Sequence, residues 1–275
     1  VRYSKSRGAL SNPENRFSHR HTYYVEDAQV ETVATHIMAE RARSIVSHNQ
    51  SPDLPFEQSI NPYRGCEHGC IYCYARPIHA YMDLSPGLDF ETRLFYKDNA
   101  AQLLRQTITA PGYVCQPIAL GANTDPYQPI EQQYQVTRRL LEVLAQYRHP
   151  VSITTKGTLI GRDIDLLAQM ARHQQIAVMI SVTTLDNSLK RIMEPRAAGP
   201  AARLRLIREL RAAGIPVGAL LAPMIPRIND HELEDMLAEV KHAGGADGNL
   251  YVHQAATRSA ATVCRVVAGA FPAAG

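Results

Sequence analysis

Four short apolar runs set the rhythm of the chain: PIALGAN (117–123), VSITTK (151–156), IAVMISVTT (176–184) and IPVGALLAP (215–223). They are β-branched or bounded by proline and too short for buried helices, so they predict strands covered on both faces. The stretches between them carry helical periodicity. In 131–147, Tyr134, Leu140, Leu141 and Leu144 fall on one face; in 200–214, Leu204, Ile207 and Leu210 do the same, and Gly214 supplies the stop. Strand and helix alternating in this way predict βαβ units and a parallel sheet. A complete eight-unit barrel takes about 250 residues, whereas the alternating text runs from 58 to about 255. Six units fit. The expected architecture is α/β, an incomplete (β/α)6 TIM-like barrel, with an open doubly wound sheet as the competitor. In either case ligands gather at the carboxyl ends of the strands, which selects 65–73, 121–127, 154–156, 181–186 and 222–229 as one candidate rim.

Residues 1–57 are polar and irregular, with one helix expected over 28–47 and a break at Asn49 to Pro55. They predict an N-terminal extension, followed by a core at 58–248 and a separate tail at 249–275. Hydrophobic residues make up 45% and charged ones 20%, an ordinary balance that excludes disordered and collagen-like classes. No apolar run approaches the roughly 20 residues of a membrane span, and the first residues lack the apolar centre of a signal peptide. A cytoplasmic protein without membrane contact is expected. The net charge of +3 permits a nucleic-acid partner without requiring one. The most basic stretch is the first twenty residues, with Arg2, Lys5, Arg7, Arg16 and Arg20 against Glu14; a solvated arm is the simplest account of it, and of His19 and His21 beside Arg20.

The five cysteines change this picture. Three of them, Cys66, Cys70 and Cys73, stand C-x3-C-x2-C within NPYRGCEHGCIYCYARP (61–77). In a reducing compartment such a cluster reads as metal ligands rather than a disulfide framework. A structural zinc would need a fourth ligand, for which His68, His79 and Cys115 are available. A [4Fe–4S] cubane normally takes four cysteines; three would leave one iron open to a substrate or cofactor.

This spacing, with an aromatic at Tyr72, resembles the signature of the radical S-adenosylmethionine (SAM) enzymes. The segments 7–17, NTDPYQPIE (123–131), the TTK to RDIDLL run (154–167), SVTTLD (181–186), EPRA (194–197) and APMIPRIND (222–230) resemble an uncharacterised subgroup of that superfamily related to spore photoproduct lyase. The resemblance implies a partial barrel of the radical SAM type and a [4Fe–4S] cluster held by Cys66, Cys70 and Cys73. It also implies S-adenosyl-L-methionine on the open iron, and its reductive cleavage to a 5′-deoxyadenosyl radical that abstracts hydrogen. Tyr72 would lie beside the adenine. A reductant such as flavodoxin or ferredoxin is implied, and kinship with a DNA-repair lyase suggests a nucleic-acid substrate. The alternatives are a peptide or small molecule as substrate, or a non-catalytic nucleic-acid-binding protein with a structural zinc or iron–sulfur site.

Other rim residues carry two readings each. Asn123 and Asp125 can reach a cofactor or simply form a turn. Lys156 can pair with the cofactor carboxylate or lie along the surface. Ser181 sits on a strand that, in relatives, bonds the methionine and ribose groups, and Met224 matches an apolar patch used for adenine. Arg196 is expected to pair locally with Glu194 or to fix an anion, and Asp230 to cap the helix that follows it. The additional hydrogen-donor cysteine of spore photoproduct lyase makes Cys115 a candidate, although a buried free cysteine at the start of a strand is the commoner case; otherwise the catalytic residues are unassigned. After about 248 the Ala-rich text, which contains Cys264, departs from the relatives and reads as a divergent or frame-shifted tail.

Overall fold

A computed structural model describes residues 7–9, 11–15, 17, 33–52, 54, 56–244 and 250–254. The elements run β1 (His36–Glu40), β2 (Val46–His48), β3 (Gln58–Ile60), β4 (Tyr63–Arg64), α1 (Asp89–Thr92), β5 (Arg93–Lys97), α2 (Ala100–Ile108), β6 (Ile118–Leu120), α3 (Glu131–Tyr134), α4 (Val136–Gln146), β7 (Val151–Thr155), α5 (Ile164–Arg172), β8 (Ile176–Ser181), α6 (Asn187–Met193), α7 (Pro200–Ala212), β9 (Val217–Met224), α8 (Leu233–His242) and β10 (Leu250–Gln254). The main sheet has the order β10-β9-β8-β7-β6-β3-β2. Its six strands from β3 to β10 are mutually parallel, and β2 is added antiparallel on the β3 side. Among the described residues β2 and β10 do not pair, so the barrel is partial, with the six units expected from chain length. Leu250–Gln254, in the segment set apart as a tail, forms the sixth parallel strand.

Alternation along the strands sorts the two faces. Ile60, Ile118, Leu120, Val151, Ile153, Val178, Ile180, Val217, Ala219 and Leu221 join the buried apolar core with Leu140, Leu144, Ile207 and Leu210 of the helices. Apart from Met179, the residues aligned on the opposite face are small or hydroxyl-bearing. In register across four strands stand Ser59, Ala119, Ser152 and Ala177, and one row higher Thr154, Met179 and Gly218.

Two elements differ from expectation. The helix over 28–47 is replaced, where residues are described, by β1 and β2. His36–Glu40 pairs in parallel with β5, and Val46–His48 pairs with β3; non-local pairing overrides a weak local helical preference. The helix over 131–147 is broken at Gln135, whose left-handed φ of 49° separates α3 from α4. The basic N-terminal arm is not simply solvated either. Arg7 is buried, donating to the carbonyls of Glu91 and Val33 and to Thr35 Oγ1. Arg2, Lys5, Arg16, Arg20, His19, His21 and Cys264 lie outside the described residues.

Candidate active site

The loop from Cys66 to Cys73 leaves the short β4 strand at the carboxyl end of the sheet. Its backbone is tied down on every side. Cys66 N donates to Phe90 O (2.9 Å), Ile71 N to Met193 O (3.0 Å) and Arg196 N to His68 O (3.2 Å). Arg76 donates to Cys70 O through Nε and Nη2 at 3.1 and 2.8 Å. Gln128 clamps the start of the loop, accepting from Glu67 N (3.0 Å) and donating to Gly65 O (3.1 Å). Gly69, at φ 69°, takes the left-handed turn between the first two cysteines, with Gly8 N only 3.2 Å from where a Cβ would stand. Beneath it the Glu91 carboxylate, fully buried, accepts from Gly8 N, Ala9 N and Arg76. The N-terminal segment 7–9 is thus a strut under the cysteine loop.

Cys66 is buried, and Cys70 and Cys73 are half-buried. Burial pushes all three thiols up, Cys70 to about 12, and the Cys66 thiol is raised further by Asp125, Cys70 and Cys73. Thiols in such surroundings stay protonated unless a metal takes the place of the proton. Of the side chains that could complete a zinc site, His79 is engaged by backbone, and His68, inside the loop itself, turns one ring nitrogen toward Asp125. His79 Nε2 meets Arg93 O at 2.9 Å, and His68 Nδ1 faces Asp125 Oδ2 at 3.3 Å. Cys115 is exposed in the loop leading into the amino end of β6, opposite the rim. Among the described residues no three His, Cys, Asp or Glu side chains are arranged to hold a single metal ion. The donor set fits a cluster held by three thiolates from one loop.

Around the loop stand the ends of β7, β8 and β9. Lys156 Nζ lies 5.8 Å over the Tyr72 ring and 3.8 Å from Glu194 Oε1. Glu194 is fully buried and accepts from the Tyr72 hydroxyl, from Thr183 Oγ1 (2.7 Å) and from Arg203, which also donates to Ser181 O (2.9 Å) and Ala198 O (2.9 Å). Ser181 is 1% exposed, and its hydroxyl has no protein partner; a buried orphan hydroxyl at this level is what a cofactor with polar groups would satisfy. Asn123 is exposed, with its backbone N–H bound to Asn61 Oδ1 at 2.8 Å. Asp125 is spent within the protein, accepting from Tyr127 N (2.9 Å), Thr155 Oγ1 (2.5 Å) and Lys156 N (2.7 Å). It shapes the rim and presents no free carboxylate. Met224 is buried at the end of β9, where Asn229 ties Thr183 O, Pro223 O and Ile225 N together. Tyr74, directly after Cys73, is 70% exposed and reaches across to Ala122 O at the end of β6. A cavity of about 470 Å³ opens beside the loop, lined among others by His68, Gly157, Thr158, Arg162 and Arg196.

Two local pairings differ from expectation. Arg196 pairs with Glu67 Oε1 at 2.7 Å, not with Glu194, because Glu194 turns inward to Arg203 and Arg196 runs back along the loop. Asp230 closes a turn by accepting from Arg227 N at 2.8 Å and caps no helix, since a short 3-10 turn precedes α8. Sequence reasoning passed over Arg203, Glu91 and Gln128. Arg203 had a signal: it stands four and seven residues before Ile207 and Leu210 on an apolar face, and a charge on a buried stripe implies a buried partner.

Burial alone would raise the pKa of Asp125 and Glu194. His68, Lys156 N and Thr155 instead hold Asp125 at about 2 against an ordinary 3.8. Arg203, Lys156, Tyr72 and Thr183 hold Glu194 at about 2 against an ordinary 4.5. Both folded-state values lie below the unfolded ones, so the stabilisation is complete above about pH 4.5 and is lost as pH falls toward 2. Each group contributes on the order of 2 kcal/mol. Urea unfolding across this range should show stability rising with pH, and Asp125→Asn should flatten the slope; an unchanged slope would refute the assignment.

Residues 60–240 match the family model of the Radical SAM superfamily. An uncharacterized protein of Mycobacterium tuberculosis is 41% identical over 193 residues, covering 70% of this chain and 57% of the relative. An uncharacterized protein of Methanocaldococcus jannaschii is 28% identical over 182 residues, 66% of this chain and 65% of the relative. The chain therefore spans less than two thirds of the length of these relatives. Spore photoproduct lyase complexed with dinucleoside spore photoproduct superposes with a TM-score of 0.62 at 15% identity, covering 86% of this chain and 66% of that one. A mutant of the same lyase with bound AdoMet and dinucleoside spore photoproduct gives a TM-score of 0.59 at 16% identity, with the same coverage. At this identity the likeness is one of fold. No helix among the described residues is long and apolar enough to cross a membrane.

Proposed function

The chain belongs to the radical SAM superfamily, and from that premise we propose that it is an enzyme that cleaves S-adenosyl-L-methionine reductively and abstracts hydrogen from a nucleic-acid substrate. The observation that carries this reading is the presentation of Cys66, Cys70 and Cys73 by one braced loop at the carboxyl rim, with Lys156 and the unpartnered Ser181 hydroxyl facing the same region. The three thiolates would hold a [4Fe–4S] cluster. When bound, cluster and cofactor together would supply the chemistry, reductive cleavage of the cofactor and hydrogen abstraction, with the electron drawn from a flavodoxin- or ferredoxin-like carrier.

The protein's own residues hold, orient and exclude water. Lys156 would pair with a carboxylate of the cofactor, and its ammonium lies near Glu194 and over the Tyr72 face. Ser181 offers a hydroxyl for a polar group of the cofactor. Tyr72 has its phenol anchored in Glu194 and Thr183 and presents its ring as a flat wall; Met224 is the apolar candidate for the base. The hydrogen-donor group stays unassigned, and the exposed Cys115 at the opposite end of β6 is poorly sited for it.

A nucleic-acid substrate is supported by the fold shared with spore photoproduct lyase, which has been captured with dinucleoside spore photoproduct. Anaerobically reconstituted protein should release 5′-deoxyadenosine on reduction, and its DNA binding should weaken steeply with salt. Release without salt-sensitive DNA binding would move the substrate to a peptide or small molecule. Absence of release would defeat the enzymatic reading in favour of a binding protein with an inert metal site.

A further inference from the structure

Glu194 is a fully buried carboxylate beside the cysteine loop, and neither helix capping nor strand pairing requires it. Its segment lies strapped along the loop by two backbone bonds, Ile71 N to Met193 O (3.0 Å) and Arg196 N to His68 O (3.2 Å). This fixes the carboxylate against Tyr72, one of the two residues between Cys70 and Cys73. Two cations complete the group: Arg203, 2% exposed and bonded to Glu194, and Lys156, 3.8 Å from it. Fixed charges with little water between them act strongly on any charge added nearby.

We infer that Glu194, balanced by Arg203 and Lys156, sets the reduction potential of the cluster that Cys66, Cys70 and Cys73 would hold. The inference rests on the radical-enzyme reading above. Reduction adds one electron, taken from a low-potential one-electron carrier, and so adds one negative charge behind the thiolates; no covalent bond need form or break. Glu194 repels that charge, whereas Lys156 and Arg203 attract it, and the potential of an iron–sulfur cluster follows net charge and hydrogen bonding around its sulfurs. Glu194 is therefore a positioning and charge-setting residue; it touches Tyr72 and Lys156 and need not touch the cofactor.

The test is an EPR-monitored redox titration of the reconstituted holoprotein without S-adenosylmethionine. Glu194→Gln keeps the shape and one acceptor oxygen but removes the charge. It should make reduction about tenfold more favourable, a rise of about 59 mV for a one-electron couple. Lys156→Met should make it several-fold less favourable, a shift of opposite sign. A merely structural role would lower the melting temperature of the Glu194 variant and leave both midpoints in place. Midpoints within twofold of the parent's equilibrium, or shifts in the same direction, overturn the inference. Should Glu194→Gln fail to fold, Lys156→Met alone decides, with a fall supporting the inference and no change overturning it. A parent protein that takes up no cluster would instead refute the reading on which the inference rests.

Discussion

Cys70→Ala protein, reconstituted anaerobically with iron and sulfide, is expected to bind a small fraction of the roughly four irons per chain that a [4Fe–4S] centre requires and to release no 5′-deoxyadenosine above background. Three protein ligands already leave one iron without a protein bond. Removing another leaves two, and His79, bonded to Arg93 O, is not free to substitute. The loss in cleavage rate should be at least about a thousandfold, some 4 kcal/mol of barrier. The fold should survive, because the loop is held at this point by its backbone: Arg76 bonds the Cys70 carbonyl, and Ile71 N bonds Met193 O. Circular dichroism and the melting temperature of the cluster-free protein should match the parent. Wild-type iron content or cleavage in this variant would defeat the ligand assignment.

The second large effect is expected far from the cysteines in sequence. In Gly8→Ala the added Cβ would sit 1.7 Å from Gly69 O and 2.8 Å from Gly69 C. Both are backbone atoms that cannot swing aside, so either the strut or the cysteine loop must move. The strut also supplies the two N–H groups that, with Arg76, satisfy the buried Glu91 carboxylate; displacing it leaves that charge partly unpaired. Overpacking of this kind costs about 3 kcal/mol or more, and reconstituted iron content should fall with stability. Gly199→Ala is the control. Its nearest neighbour would be Asn187 Oδ1 at 3.6 Å and its φ is −70°, so it should stay within about 0.5 kcal/mol of the parent. Equal stability of the two variants would show that segment 7–9 does not bear on the loop.

Much of the architecture was legible because strand period and helix period are local properties. The apolar runs at 117–123, 151–156 and 176–184 contain β6 to β8, the run at 215–223 covers all of β9 but Met224, and the residue count predicted six parallel strands. What misled was equally physical. Residues 36–40 have no strong strand signature; they are extended because β5 offers a parallel edge. Arg7 reads as a solvated arm residue only until Glu91 and Val33, distant in sequence, place carbonyls around it. Arg196 stands two residues from Glu194, but the direction of each side chain is decided by the loop packed against that segment, which brings Glu67 to one and Arg203 to the other.

By itself, then, the sequence determined the fold class and the grouping of three cysteines on one loop. Both are written in short-range spacing: C-x3-C-x2-C places three thiols on one loop, and apolar periodicity decides which segments are strands and helices. The surroundings of that loop were decided only by the tertiary structure. The Gly8–Glu91 strut, the Gln128 clamp, the Glu194–Tyr72 bond and the Asp125–Thr155 bond join residues from 30 to 122 positions apart. Their energies depend on burial and exact pairing, which no local pattern encodes.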